Sequence, residues 1–142
     1  MAKSTILIVE DSPDISHALA DAFRFAGFGT LQAFNAIQGL QFACELRPDL
    51  ILMDIQLPDL DGLSAAETLK GDPVTQRIPI VAMTAYEVVG DQAKAISRHC
   101  VGYVQKPARP RDVINLVSAV LRHTSGPKPS SPKDRLARTL RK

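Results

Sequence analysis

The sequence predicts a doubly wound α/β domain, one parallel sheet of five strands covered by helices on both faces. Three observations carry this. Short apolar runs recur along the chain, and the central one, Leu50-Ile51-Leu52-Met53, is apolar throughout, as strands buried on both faces must be. Stretches with apolar residues at helical spacing separate the runs, and such alternation of strand and helix implies parallel strands joined by right-handed crossovers. With 142 residues, 45% hydrophobic and 5% aromatic, the chain is long enough to bury one sizeable core.

Taken in order, Thr5-Ile6-Leu7-Ile8-Val9 is the first buried strand. Ser12, Pro13 and Asp14 then supply an N-cap, a proline for the first helical position and an acid for the first turn. The helix that follows should turn Ile15, Leu19, Ala22, Phe23 and Ala26 inward and stop at Gly27. Residues 29–33 form a weaker strand, and residues 35–46 a helix with Ile37, Leu40, Ala43 and Cys44 facing the core. The central run follows, bounded by Pro48 and Pro58 and ending in Asp54. Beyond it, Leu63, Ala66, Leu69 and Lys70 suggest a short helix ended by Gly71-Asp72-Pro73. Residues 78–83 make a fourth strand with Thr84 as its final residue, residues 88–98 a helix interrupted by Gly90, and residues 101–105 a fifth strand ending in Lys106-Pro107. The last helix covers residues 109–122 and buries Val113, Leu116, Val117, Val120 and Leu121. At this size the flavodoxin-like strand order 2-1-3-4-5 is the natural one. Cys44 and Cys100 match no metal-binding or redox spacing, and their apolar-periodic surroundings predict two reduced, buried thiols.

Ligands bind open α/β sheets at the carboxyl ends of the strands. Four strands deliver polar groups there: Glu10 and Asp11 after the first, Asp54 at the third, Thr84 at the fourth and Lys106 after the fifth. Each has an ordinary explanation alone, as a loop cap, a strand-end threonine or a solvated lysine. Their convergence on one rim is harder to explain that way. Three carboxylates brought together repel unless a cation neutralises them, and a small set of hard oxygen ligands with room for water and phosphate suits Mg²⁺ better than zinc or a calcium cage. The lysine and the hydroxyl would serve anionic oxygens.

These segments resemble the receiver domain of two-component response regulators, the CheY-like superfamily. The resemblance covers roughly residues 4–123 and is carried by four motifs in order: Ile6-Leu7-Ile8-Val9-Glu10-Asp11, residues 52–62 from Leu52 to Gly62, Met83-Thr84-Ala85, and Gly102-Tyr103-Val104-Gln105-Lys106-Pro107. It is similar to stand-alone regulators of the DivK and CheY type. The resemblance implies that Asp54 is the phosphoacceptor, and that Asp11, Asp54 and the backbone carbonyl of Gln56 ligate Mg²⁺ with Glu10 acting through water. It further implies that Lys106 pairs with phosphoryl oxygens, that Thr84 donates its hydroxyl to one of them, and that Tyr103 is the switch aromatic. Gln56 and Tyr86 fall at positions that influence acyl-phosphate lifetime, and Glu10 stands where aspartate is commoner. The implied partners are a sensor histidine kinase or a histidine phosphotransfer protein and a downstream protein target.

Two other function classes compete. A phosphorylation-independent, receiver-like interaction module is disfavoured by the complete set of acids, Thr84 and Lys106. A Mg²⁺-dependent phosphatase would want an acid two residues after its nucleophile, where this chain has Gln56. No stretch is apolar for long enough to span a bilayer, and Met1-Ala2-Lys3-Ser4 runs directly into a strand, so a cytoplasmic protein is expected. The receiver should occupy residues 1–123. Residues 124–142 have the Pro/Ser-rich composition of a disordered linker followed by Leu136 and Leu140 among arginines. Lys128, Lys133, Arg135, Arg138, Arg141 and Lys142 against Asp134 give this tail +5, so the overall +2 conceals a domain at −3 with a basic tail. The tail leaves no room for a DNA-binding domain.

Overall fold

Strands that alternate in side-chain direction sort their residues between two layers, and the computed structural model, described over residues 3–125, shows this sorting along the whole sheet. The strands are β1 (Thr5–Val9), β2 (Gly29–Ala33), β3 (Leu50–Asp54), β4 (Ile80–Thr84) and β5 (Gly102–Gln105). The helices are α1 (Pro13–Phe25), α2 (Ala36–Leu46), α3 (Gly62–Gly71), α4 (Gly90–His99) and α5 (Pro110–Ser125). All strand pairs are parallel, in the order β2-β1-β3-β4-β5. Ile6, Ile8, Leu50, Leu52, Val81 and Met83 pack under Leu19 and Phe23 of α1 and Val113 and Val117 of α5. Leu7, Val9, Ile51, Met53 and Ile80 face the other way, against Ala36 and Ala43 of α2 and Ala65, Ala66 and Leu69 of α3. Ile96 of α4 packs with Ile55 and Ala82. The expected five-stranded, doubly wound architecture and strand order are both present.

Local chemistry fixes the helix starts. Ser12 Oγ accepts from Ile15 N–H at 3.4 Å, Asn35 Oδ1 from Gln38 N–H at 2.8 Å, and Asp61 Oδ1 from Leu63 N–H at 3.0 Å. Each satisfies a first-turn amide that has no partner within its helix. Gly62 answers a tighter demand, since a Cβ there would overlap the Asp54 carbonyl oxygen and approach Ile55 Cα to 2.7 Å.

Several sequence expectations need correction. The inward face of α2 is Ala36, Gly39 and Ala43, with Leu40 partly buried, while Ile37 and Cys44 face solvent. The reason is close approach: a Cβ on Gly39 would lie 2.9 Å from Val9 Cγ2, so the face against the sheet is chosen for smallness, not for apolar bulk. In α1 the buried set is Ser16, Leu19, Ala20 and Phe23, whereas Ile15 and Ala26 are exposed. Ser16 is tolerated because its hydroxyl accepts from Gln32 Nε2 at 2.9 Å. Of the two cysteines expected to be buried, Cys44 is exposed with Sγ 3.7 Å from Asp72 Oδ2, and Cys100 is half-buried, its thiol pushed up to about 11 by burial. Helix α4 begins at Gly90, whose φ of 62° is the left-handed region, so Val88 and Val89 precede the helix. Helix α5 runs from Pro110 to Ser125, three residues past the end expected at residue 122. The remaining tail, with Leu136 and Leu140, lies outside the described residues.

Candidate functional site

Parallel pairing brings the strand ends level, with Val9 opposite Met53, Asp54 opposite Met83 and Thr84 opposite Gln105. The residues that follow these positions therefore share one rim. Glu10, Asp11 and Asp54 each place a carboxylate oxygen within 4.8 Å of the others. Glu10 and Asp54 are buried and Asp11 is exposed, so the cluster has two inner acids and an open mouth.

Lys106 reaches into this cluster. Its ammonium donates to Glu10 Oε1 at 2.7 Å and to Asp54 Oδ2 at 2.8 Å while keeping 23% of its side chain exposed. Burial alone would lower the lysine pKa, but hydrogen bonding and attraction from Asp54 and Glu10 outweigh it and hold the pKa above its ordinary value. The other carboxylate oxygens are also engaged: Asp54 Oδ1 accepts from Gln56 N–H at 2.9 Å, and Glu10 Oε2 from Ser12 N–H at 3.1 Å. Asp11 has its pKa raised, chiefly by hydrogen bonding with Glu10, then by desolvation and by repulsion from the same residue. Two of the three carboxylates thus share one cation, and the third is held beside them at the cost of its acidity.

This donor set fits a hard dication. All its ligand atoms are carboxylate oxygens, Lys106 neutralises only one of three negative charges, and Asp11 opens the cluster to solvent. The peptide of Gln56 lies against Asp54 through its N–H.

The structure brings Glu10, Asp11, Asp54 and Lys106 into one group. Thr84 meets that group through its backbone, its carbonyl accepting from Lys106 N–H at 2.7 Å, while its hydroxyl bonds elsewhere. Thr84 is fully buried, and its hydroxyl is turned onto its own loop, donating to the Tyr86 carbonyl at 3.4 Å and accepting from Tyr86 N–H at 3.1 Å. Tyr103 stands on the outer side of β5, 48% exposed. The Lys106–Pro107 peptide is cis.

Two contributions escaped sequence reasoning. Asp59, in the loop after β3, accepts from Ala36 N–H at 2.8 Å and Ile37 N–H at 2.9 Å, pinning that loop to the start of α2. The Ile37 hydrogen bond is the main cause of its lowered pKa, which burial opposes and the Ala36 bond reinforces. The signal available was an acid in the Pro58–Gly62 turn, though nothing in the sequence said which amides it would serve. The second is the side chain of Gln56, which accepts from Ala85 N–H at 3.2 Å and donates to Thr84 Oγ1 at 3.5 Å. Beside Lys106 a groove of about 430 Å³ opens between α1 and the β5–α5 connection, lined chiefly by apolar side chains including Ile15, Ala18, Leu19, Pro107 and Pro110. Among the described residues, no helix is long and apolar enough to cross a membrane.

Comparison with known proteins places this geometry. The family model for the response regulator receiver domain matches residues 6–118. The polar-differentiation response regulator DivK of Brucella anthropi is 39% identical over 107 residues, covering 75% of this chain and 86% of that protein, and DivK of Brucella ovis is 37% identical over the same length. Among solved structures, the receiver domain of the sensor histidine kinase PA1611 from Pseudomonas aeruginosa PAO1, which has a magnesium ion coordinated in its active-site cleft, is 30% identical. It superposes with a TM-score of 0.75 over 83% of this chain and 97% of that one. A CheY-like receiver domain protein from Methanospirillum hungatei JF-1 shares the fold at a TM-score of 0.81 and 24% identity, covering 87% and 98% of the two chains. With its carboxylate rim, its bridging lysine and its strand order, the chain belongs to the response regulator receiver domain family.

Proposed function

We propose that this receiver domain accepts a phosphoryl group on Asp54 from a sensor histidine kinase or a histidine phosphotransfer protein and thereby switches a surface read by a downstream protein. The observation that carries the reading is the buried Asp54 carboxylate, held in a three-acid cluster and already paired to Lys106. An Asp54 oxygen attacks phosphorus in line, the P–N bond of a phosphohistidine breaks, the imidazole leaves, and an acyl phosphate remains. A carboxylate attacks an anionic phosphoryl group poorly unless positive charge is in place, so most of the catalysis is positioning and electrostatics.

Asp11, Asp54 and the Gln56 backbone carbonyl would hold Mg²⁺, with Glu10 acting through water. When bound, the ion supplies positive charge to the transferring oxygens. Lys106, freed from the Asp54 carboxylate, follows the negative charge onto the phosphoryl oxygens. Thr84 donates its hydroxyl to one of those oxygens, and Tyr103 turns inward from its exposed position. The chain acts as a signalling phosphoacceptor that catalyses only its own phosphorylation and dephosphorylation. Residues 1–123 carry this activity together with the end of α5, and the basic tail is an accessory segment of a cytoplasmic protein.

Incubation with acetyl phosphate and Mg²⁺ followed by intact mass tests the reading. Wild type should gain one phosphoryl group, and neither Asp54→Asn nor wild type in EDTA should. Labelling of Asp54→Asn at the wild-type rate would refute it.

A further inference from the structure

The Thr84 hydroxyl has one proton to donate and two lone pairs, and all three are spoken for. It donates to the Tyr86 carbonyl and accepts from Tyr86 N–H and from Gln56 Nε2. The other end of the same carboxamide accepts from Ala85 N–H at 3.2 Å. This orientation of the amide is determined by its neighbours, because exchanging its oxygen and nitrogen would set an NH₂ group against the Ala85 N–H, donor on donor. One side chain in the β3–α3 loop therefore holds the last residue of β4 and the first residue of the loop that follows it. Its backbone N–H meanwhile holds Asp54 Oδ1 at 2.9 Å, so Gln56 touches the acceptor carboxylate at one end and the Thr84–Ala85 segment at the other.

We infer that Gln56 is a positioning residue whose side chain ties the Thr84–Tyr86 segment to the β3–α3 loop and so favours the unphosphorylated arrangement. The inference rests on the reading of Asp54 as phosphoacceptor. Thr84 has no spare proton for a phosphoryl oxygen while it donates to the Tyr86 carbonyl. For the hydroxyl to move toward Asp54, the segment must give up its bonds to Gln56. A contact made in only one of two states shifts the equilibrium toward that state by its own differential free energy. Removing the tie should therefore make the phosphorylated arrangement easier to reach. Damage to the site would act in the opposite direction.

Two variants test this in the full-length chain. Gln56→Met keeps the length of the side chain without its amide, and Gln56→Ala removes the side chain altogether. Both leave the backbone N–H to Asp54 in place. The first readout is amide hydrogen exchange at Ala85, which should be faster in both variants because its acceptor is gone. The second is titration with beryllofluoride, a phosphoryl mimic, at saturating Mg²⁺. Both variants should bind it about 3- to 10-fold more tightly than wild type, the range expected when net hydrogen-bond stabilisation of one state is lost. An Ala85 amide that exchanges at the wild-type rate in Gln56→Met overturns the tie itself. Unchanged or weaker beryllofluoride binding, with Ala85 exchange accelerated, overturns its role in switching. Wild type that binds no beryllofluoride would instead overturn the reading of Asp54, and Ala85 exchange would still decide whether the tie exists.

Discussion

Replacing Lys106 by methionine keeps most of the apolar stem and removes the charge, which isolates what the ammonium does for the acid cluster. At 2.7 and 2.8 Å, each of its two ion pairs carries a gross Coulomb attraction of about 6 kcal/mol at an effective dielectric near 20. Desolvation opposes that attraction by several kcal/mol per buried ion. Removing one partner of a fully buried pair costs about 3–5 kcal/mol. Lys106 is 23% exposed and Asp11 opens the cluster to water, so the expected loss for Lys106→Met is smaller, roughly 1–3 kcal/mol near neutral pH without divalent ions. The loss should depend on pH in a definite sense. With the cation gone, the attraction by which Lys106 lowers the Asp11 pKa is lost, so that pKa, already raised by hydrogen bonding with Glu10 and by desolvation, moves further above its ordinary value. The folded variant then binds more protons than the unfolded one, so its deficit shrinks as pH falls through the carboxylate range. Mg²⁺ should close the gap as well, because it binds the folded cluster preferentially. Urea unfolding of both proteins at pH 5 and pH 8, in EDTA and in Mg²⁺, measures all of this. A deficit that is equal at both pH values and indifferent to Mg²⁺ would show that the stem's packing, not the charge, is what Lys106 supplies.

Gly62→Ala should lower stability by about 2–3 kcal/mol, because the added methyl meets backbone at Asp54 and Ile55 that cannot move aside, and it should slow labelling by acetyl phosphate more than Gly71→Ala, where nothing lies within 4 Å. Wild type should lose stability as pH rises from 9 toward 11, since Cys100 keeps its proton in the folded state up to about 11 and releases it near 9.0 when unfolded; Cys100→Ala should flatten that part of the urea profile, and an unchanged slope would place the effect elsewhere. Truncation after Ser125 should leave labelling from acetyl phosphate intact, because every site residue precedes that point, and should weaken binding to an acidic partner in a salt-dependent way; equal partner affinity of both chains at low salt would show the tail to be a bystander.

The sheet was legible because strands buried on both faces can only be written as unbroken apolar runs, and β3 and β4 are buried at every residue. The start of α1 was legible for a similar reason, since an amide without a helical partner calls for a side chain such as that of Ser12 at one position, whereas the same role of Asn35 and Asp61 at the starts of α2 and α3 emerged only with the structure. Helix faces were read less well. Apolar spacing selected Ile37 and Cys44, but a helix that must approach a sheet closely turns its smallest residues inward, and size is invisible to a hydrophobic pattern. Ser16 makes the same point from the polar side, because its burial depends on Gln32, a partner sixteen positions away on another element.

The acid cluster was legible because topology alone sends every strand end of a parallel sheet to one edge, whatever the loops do afterwards. What joins the cluster together was not. Lys106 and Glu10 are 96 positions apart, and the lysine could be placed at the rim from sequence without any indication that it would pair with two buried carboxylates at once. Asp59 and Gln56 act on residues 22 to 29 positions away in the chain, through distances that depend on how each turn is folded. Such contacts carry no periodic signal, since one long polar side chain in a turn looks like any other. They nonetheless decide the state of the molecule: Thr84 and Lys106 are within reach of the chemistry by topology, and their hydrogen bonds in this structure commit the Thr84 hydroxyl to Tyr86 and Gln56 and the Lys106 ammonium to the carboxylates. A switch of this kind is written twice, in strand ends that the sequence displays and in loop contacts that only the folded chain reveals.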